Sequence, residues 1–134
     1  MDKKNIWLRI SYWSGAIVDA LAAILLTFPG LMSFFYKVGP VNLDPAFRTA
    51  DGSAAGLMWG WTFLLIWADR KPFERRGILF LTLVPVLAMM IFYRFIDVLI
   101  FRTPIIDQIP FFILQFSLVT LLSYSLWINR KVSH

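Results

Sequence analysis

The chain has 134 residues, of which 59% are hydrophobic and only 16% charged, and its formal net charge is +5. A soluble domain of this size cannot bury so much apolar surface, so the composition indicates a membrane protein. The chain has no cysteine, which excludes disulfides and thiolate metal sites. Its single histidine is the last residue, which argues against a histidine-based metal site or catalyst.

The first half of the chain contains two apolar runs, and a helix needs about 20 apolar residues to cross a bilayer. The first predicted span covers residues 6–28 and stops at Pro29-Gly30, a pair that does not continue a helix. Residues 29–50 are mixed in character and predict an outer loop. The second predicted span covers residues 51–68.

The second half repeats this arrangement. Residues 69–76 are polar and charged and predict a tight turn between antiparallel helices. The third predicted span, 77–101, contains Pro85, which predicts a bend. Residues 102–110 predict a short loop, and the fourth span covers 111–128. The sequence therefore predicts one all-α membrane domain over 1–134, a four-helix bundle with up-down-up-down topology.

The orientation of the bundle follows from its lysines and arginines, which are enriched in cytoplasmic loops of membrane proteins. Nine of these residues lie at the two termini and in the 69–76 turn. The other ends of the predicted spans hold only four: Lys37, Arg48, Arg94 and Arg102. Both termini and the 69–76 turn are therefore predicted to be cytoplasmic. The positive charge then reports topology, and nucleic acid is not expected as a partner. The nine basic residues on the predicted cytoplasmic side are Lys3, Lys4, Arg9, Arg70, Lys71, Arg75, Arg76, Arg130 and Lys131.

Small residues recur at every fourth position on two predicted spans, a spacing that lets membrane helices approach closely. We call these two rows of small residues the first ridge, on span one, and the second ridge, on span two. The second ridge consists of Gly52, Gly56 and Gly60, and its partner is either another span or a second copy of the chain. The alternative is that these glycines are merely common residues of membrane helices. The first ridge, on span one, consists of Ser11, Gly15, Asp19 and Ala23 and places Asp19 on a packing face.

Polar side chains fall at a similar outer depth on all four spans. We expect Asp19, Asp51, Arg94, Asp97 and Gln115 to converge on a ligand-binding pocket in the outer half of the bundle. Each has a simpler interpretation: Asp51 caps span two, Arg94 pairs with Asp97 on one helix turn, and the others only stabilise packing. Asp19 has the strongest case for a role, because its short carboxylate cannot reach the interface and needs a cation, a hydroxyl or a proton.

Parts of the chain resemble two known families of membrane proteins. Residues 60–77 and 7–16 resemble a family of small four-span prokaryotic membrane proteins of uncharacterised activity. That resemblance implies the fold and an inner-membrane location. Residues 15–20, Gly-Ala-Ile-Val-Asp-Ala, are similar to the first span of the small multidrug resistance transporters, with Asp19 where that family has glutamate. The loops, Arg94 and Asp97 depart from that family, so the second likeness is local.

Two functional hypotheses follow. The first is binding or transport of a small molecule or lipid through the outer pocket, with Asp19 as the titrating group and Arg94 as its counter-charge, in a possible homo-oligomer. The second is a structural or accessory subunit that docks a membrane partner through the second ridge. An enzyme has the least support, because no nucleophile, metal set or phosphate-binding loop is visible, and no cofactor or metal is expected.

Overall fold

A computed structural model describes residues 3–36, 44–100, 102 and 104–130 of the chain. Every regular element in these residues is helical, which confirms the predicted all-α class. The elements are α1 (Lys3–Thr27), α2 (Pro29–Tyr36), α3 (Pro45–Ala68), α4 (Arg76–Leu81), a π-helical turn (Thr82–Leu87), α5 (Ala88–Leu99) and α6 (Ile105–Arg130).

Three helical segments of the described chain are long and apolar enough to cross a membrane: Asn5–Thr27, Arg76–Leu99 and Ile105–Arg130. The middle segment joins α4, the π-helical turn and α5 without interruption. Helix α3, with 24 residues, is long enough but less apolar. It contains the charged residues Arg48 and Asp51 as well as three glycines and three tryptophans, which contribute little to hydropathy.

The chain divides into two compact units. The first unit comprises residues 1–12 and 68–134, and the second comprises residues 13–67. Helix α1 therefore contributes its beginning to the first unit and its remainder to the second.

At one end of the first unit, polar contacts join segments that are far apart in sequence. Arg9 near the start of α1 forms a two-point ion pair with Asp69, its Nε 3.0 Å from Oδ1 and its Nη2 3.1 Å from Oδ2. Arg76, at the start of α4, donates a 2.9 Å hydrogen bond to the backbone carbonyl of Asn129 near the end of α6. The start of α1, the turn at 69–75 and the end of α6 thus meet at this end.

Four of the six buried residues of helix α6 are polar, whereas its exposed face carries many large apolar side chains. Its buried residues are Gln108, Gln115, Leu118, Leu122, Ser125 and Asn129. Large apolar side chains cover the opposite face, including Ile106, Ile113, Phe116 and Trp127. This polarity suits a helix with lipid on its outer side, because hydrocarbon accepts apolar groups whereas polar groups are costly there.

In the second unit, α1 and α3 approach closely at a glycine. A Cβ atom added to Gly15 would lie 3.2 Å from Cδ1 of Leu65, so only glycine fits there without displacing the leucine. Trp59 of α3 also donates a 3.2 Å hydrogen bond from its indole nitrogen to the hydroxyl of Thr27 at the end of α1. These two contacts join α1 and α3 at points three turns apart along α1.

The segment expected to be an outer loop differs in the structure, because both of its ends are helical. Helix α1 ends at Thr27, as Pro29 predicts, but Pro29 then begins α2. A proline is well suited to a first helical position, since its missing N–H needs no partner there. Helix α3 begins at Pro45 for the same reason, and its first six residues are exposed. Residues 37–43, the middle of the expected loop, lie outside the described residues.

The expected loop at 102–110 is also shorter in the structure. Helix α6 begins at Ile105, and Pro110 lies inside it. A proline near the start of a helix costs one backbone hydrogen bond, which membrane helices tolerate. Pro85 lies within the π-helical turn, so the local irregularity predicted for span three takes the form of a widened turn.

Candidate functional site

Asp19 is a buried carboxylate in the middle of α1. Only 6% of the residue is exposed, and its Oδ2 atom has no hydrogen-bond partner among the described residues. A buried polar atom without a partner costs on the order of 1–3 kcal/mol, and more if it is charged. Such an atom in a native protein calls for a partner from outside the chain, such as water, a proton or a ligand.

Arg94 of α5 is held by side chains from the first two turns of α6. It donates a hydrogen bond from Nη1 to Oε1 of Gln108. Its guanidinium carbon lies 4.1 Å from the centroid of the Phe111 ring, within the range of a cation–π contact. Its Nε atom is buried and has no hydrogen-bond partner in the described chain. Arg94 is therefore positioned by α6 and keeps one donor unused.

Gln115 lies two turns beyond Gln108 on the same buried face of α6. Only 4% of Gln115 is exposed, and its Oε1 atom has no partner among the described residues. Sequence reasoning missed Gln108 because that residue was placed in a loop. The seven-residue spacing of the two glutamines was the available signal, since it places both on one face of a continuous helix.

The simpler interpretations of Asp51 and of the Arg94–Asp97 pair do not hold. Asp51 lies inside α3, which begins at Pro45, so the prediction that it caps this helix is wrong. Asp97 is half-buried, and no ion pair joins it to Arg94 although both residues are described. Arg94 instead takes an uncharged partner on another helix.

The five residues expected to converge fall in different units. Asp19 and Asp51 belong to the second unit, whereas Arg94, Asp97 and Gln115 belong to the first. Within the first unit, Arg94 is brought to Gln108 and Phe111. A common pocket for all five stays a prediction.

The second ridge, Gly52, Gly56 and Gly60, is exposed along α3. A Cβ atom added to any of the three would meet no heavy atom of the described chain within 4 Å. Ala55, on a neighbouring face of the same helix, is 6% exposed. The close packing that this spacing favours is therefore not made by the described residues.

No group of three or more acidic, histidine or cysteine side chains in the described chain is arranged to hold a metal ion. Compared with family models, curated proteins and solved structures, the chain shows no match.

Proposed function

We propose that this protein is a four-span membrane bundle that binds a small amphipathic cation through Asp19. The observation that carries the proposal is the Oδ2 atom of Asp19, which is buried on an apolar helix and lacks a hydrogen-bond partner among the described residues. A carboxylate cannot be left in that state in a bilayer at low cost, whereas a bound amine or proton would neutralise it.

The proposed bundle adds α3 to the three apolar helical segments. Helix α3 has 24 residues and, at 1.5 Å per residue, a length of roughly 36 Å, which is sufficient to cross the hydrocarbon. The contacts of Arg9 with Asp69 and of Arg76 with Asn129 support placing the start of α1, the turn and the end of α6 on one side. Because these segments are rich in lysine and arginine, we place that side in the cytoplasm of a prokaryotic cell, with the bundle in its inner membrane.

The first unit holds unsatisfied polar groups of its own. Arg94, supported by Gln108 and Phe111, presents an unused Nε–H donor, and Gln115 presents an unused acceptor. In the proposal, Asp19 binds the positive group of the ligand. Coupling of ligand release to protonation of Asp19 would convert such a binding site into a proton-coupled transporter.

The test is the substitution Asp19→Asn, with Asp44→Asn as the matched control. Both changes remove one carboxylate from the second unit, but Asp44 is exposed. Binding of tetraphenylphosphonium, a lipophilic cation, to the detergent-purified protein would be measured by equilibrium dialysis at pH 8. We expect Asp19→Asn to weaken binding at least tenfold, about 1.4 kcal/mol, because the counter-charge is lost. Asp44→Asn should leave binding within twofold of the original protein.

The stability of the same variants separates binding from a structural role. If Asp19 only holds the helices together, Asp19→Asn will lower the unfolding midpoint strongly and also abolish folding-dependent binding. If it is a ligand group, the unfolding midpoint will stay near that of the original protein while binding falls. Unchanged binding by folded Asp19→Asn would refute the proposal.

A second candidate function is favoured by one observation, the open second ridge. In this alternative the protein is an accessory subunit, and Gly52, Gly56 and Gly60 dock a transmembrane helix of a partner. Small residues at this spacing let two helix backbones approach closely in lipid, where no hydrophobic force draws helices together. The charged and amide groups of α1, α5 and α6 then only stabilise the bundle.

A further inference from the structure

A groove in the first unit combines two arginines with an apolar wall. It has a volume of about 590 Å³ and lies along α4, the π-helical turn and the end of α6. Arg76 and Arg130 line it together with apolar side chains, among them Phe80, Leu83 and Leu126. The groove is at the end of the unit where Arg76 contacts α6, and neither Asp19 nor Arg94 lines it.

The two kinds of side chain are separated along the groove. Arg76 opens α4, and Phe80 and Leu83 follow it by roughly one and two helical turns. Arg130 is the last residue of α6, and Leu126 precedes it by about one turn. Because Arg76 donates to the carbonyl of Asn129, the two arginines lie at the same end. The apolar wall therefore runs from this basic end toward the middle of the helices.

Both arginines have hydrogen-bond donors to spare. The bond to Asn129 uses one of the five N–H donors of the Arg76 guanidinium. Arg130 is exposed, and no described residue pairs with its side chain. Two guanidinium groups that line one groove suit a phosphate diester, which offers several acceptor oxygens and a negative charge.

We propose that this groove binds an anionic phospholipid. Its phosphate lies between Arg76 and Arg130, and one acyl chain lies along Phe80, Leu83 and Leu126. Trp127, which also lines the groove, is typical of the interfacial depth at which lipid headgroups lie. A basic pocket between transmembrane helices on the cytoplasmic side is a known arrangement for holding anionic headgroups.

Charge distinguishes this groove from a larger one in the same unit. The larger groove, about 740 Å³, is lined by Trp7, Phe112, Phe116 and Tyr124 among others. It has no arginine or lysine in its lining. It can accept any apolar chain, whereas the groove with Arg76 and Arg130 selects for a negative headgroup.

The experiment uses the full-length protein in mild detergent with an equimolar mixture of phosphatidylglycerol and phosphatidylcholine. Native mass spectrometry counts how much of each lipid stays bound. With about 1 kcal/mol for each arginine near the headgroup, we expect roughly a 30-fold preference for phosphatidylglycerol. Arg130→Gln should reduce that preference about fivefold, which corresponds to the loss of one arginine.

Two further variants test the shape of the site. Gly77 lines the groove, and an added Cβ there meets no heavy atom within 4 Å, so Gly77→Leu fills the groove without disturbing packing. It should abolish retention of phosphatidylglycerol. Gly30→Leu, at an equally open glycine outside this groove, and Arg70→Gln, at an exposed arginine, are the controls and should retain the lipid as before.

The proposal is overturned if the original protein retains the two lipids equally, or if folded Gly77→Leu retains phosphatidylglycerol unchanged. Millimolar inorganic phosphate provides a further arm. Failure of phosphate to displace the lipid supports a site that also holds the acyl chain, whereas full displacement overturns the lipid as occupant in favour of a simple phosphate site. Circular dichroism confirms that each variant is folded, and the outcome is independent of cation binding at Asp19.

Discussion

The two ridges of small residues have the same four-residue spacing but opposite environments. The first ridge, Ser11, Gly15, Asp19 and Ala23, is buried at every position. The second ridge, Gly52, Gly56 and Gly60, is exposed at every position and has open space beside each glycine. Small-residue spacing therefore identifies a helix face suited to close approach, but it does not say whether the same chain covers that face.

The two ridges also differ in the polar side chains that they carry. The first ridge carries an ionisable residue, Asp19, into the interior, whereas the second ridge carries no polar side chain at all. The buried carboxylate on the first ridge needs a partner, which a ligand can supply. The exposed glycines of the second ridge offer only a backbone surface against which another helix can pack. The two proposed functions, ligand binding and partner docking, correspond to these two faces.

The largest expected effect comes from placing the same side chain on each ridge. Gly15→Leu would force new atoms against Leu65, and such overpacking costs about 1–3 kcal/mol of the free energy of unfolding. Gly56→Leu meets no neighbour and should leave that free energy unchanged or raise it slightly, because leucine favours helix more than glycine. Unfolding of the detergent-purified protein by increasing fractions of dodecyl sulfate measures both. Equal destabilisation by the two changes would contradict the contrast between the ridges.

A smaller effect is expected on association. If the second ridge docks another helix, Gly56→Leu separates the two backbones and weakens association by on the order of 1 kcal/mol, about fivefold in dissociation constant. Energy transfer between labelled copies in lipid vesicles measures self-association, with Gly30→Leu as a control at an open glycine outside the ridge. If Gly56→Leu leaves the dissociation constant unchanged, the second ridge does not mediate self-association. Docking of a different partner would then be the only remaining role for this face.

The smallest effect is expected from two serines. Ser11 on the first ridge and Ser53 beside the second each donate a 2.9 Å hydrogen bond to the backbone carbonyl four residues earlier. Because that carbonyl belongs to the same helix, Ser11→Ala and Ser53→Ala should each change the free energy of unfolding by less than about 0.5 kcal/mol. A larger loss for Ser11→Ala, measured by the same dodecyl sulfate titration, would show that its hydroxyl also holds the buried face together.

Much of the fold could be predicted because apolar runs and proline act locally. Three of the predicted spans coincide in their cores with the apolar helical segments, and Pro29 marks the end of α1. The beginning of α3 could not be predicted, since residues 45–50 are exposed and show no apolar periodicity. The beginning of α6 was missed because Pro110 was taken as a loop residue, although a proline in the second turn is compatible with a membrane helix.

Less of the candidate site than of the fold could be predicted from the sequence. Asp19 could be identified, because an ionisable residue within an apolar run stands out. The partner of Arg94 could not, since the nearest carboxylate in sequence, Asp97, is not the residue that contacts it. Gln108 became visible only when α6 was seen to begin before it. Long-range pairing depends on how helices are rotated against each other, which residue spacing on a single helix does not record.

The π-helical turn at Thr82–Leu87 determines how far the side chains that follow it are rotated about the helix axis relative to those that precede it. A π turn takes up one residue more than an α turn, and each residue of a regular helix advances the side chain by about 100°. Arg76 on one side of this turn faces the end of α6, and Arg94 on the other side faces its beginning. The two arginines are 18 residues apart, which is five turns of a regular α-helix, so the extra residue rotates them roughly 100° away from each other about the helix axis. Both side chains nevertheless reach α6, one at each of its ends.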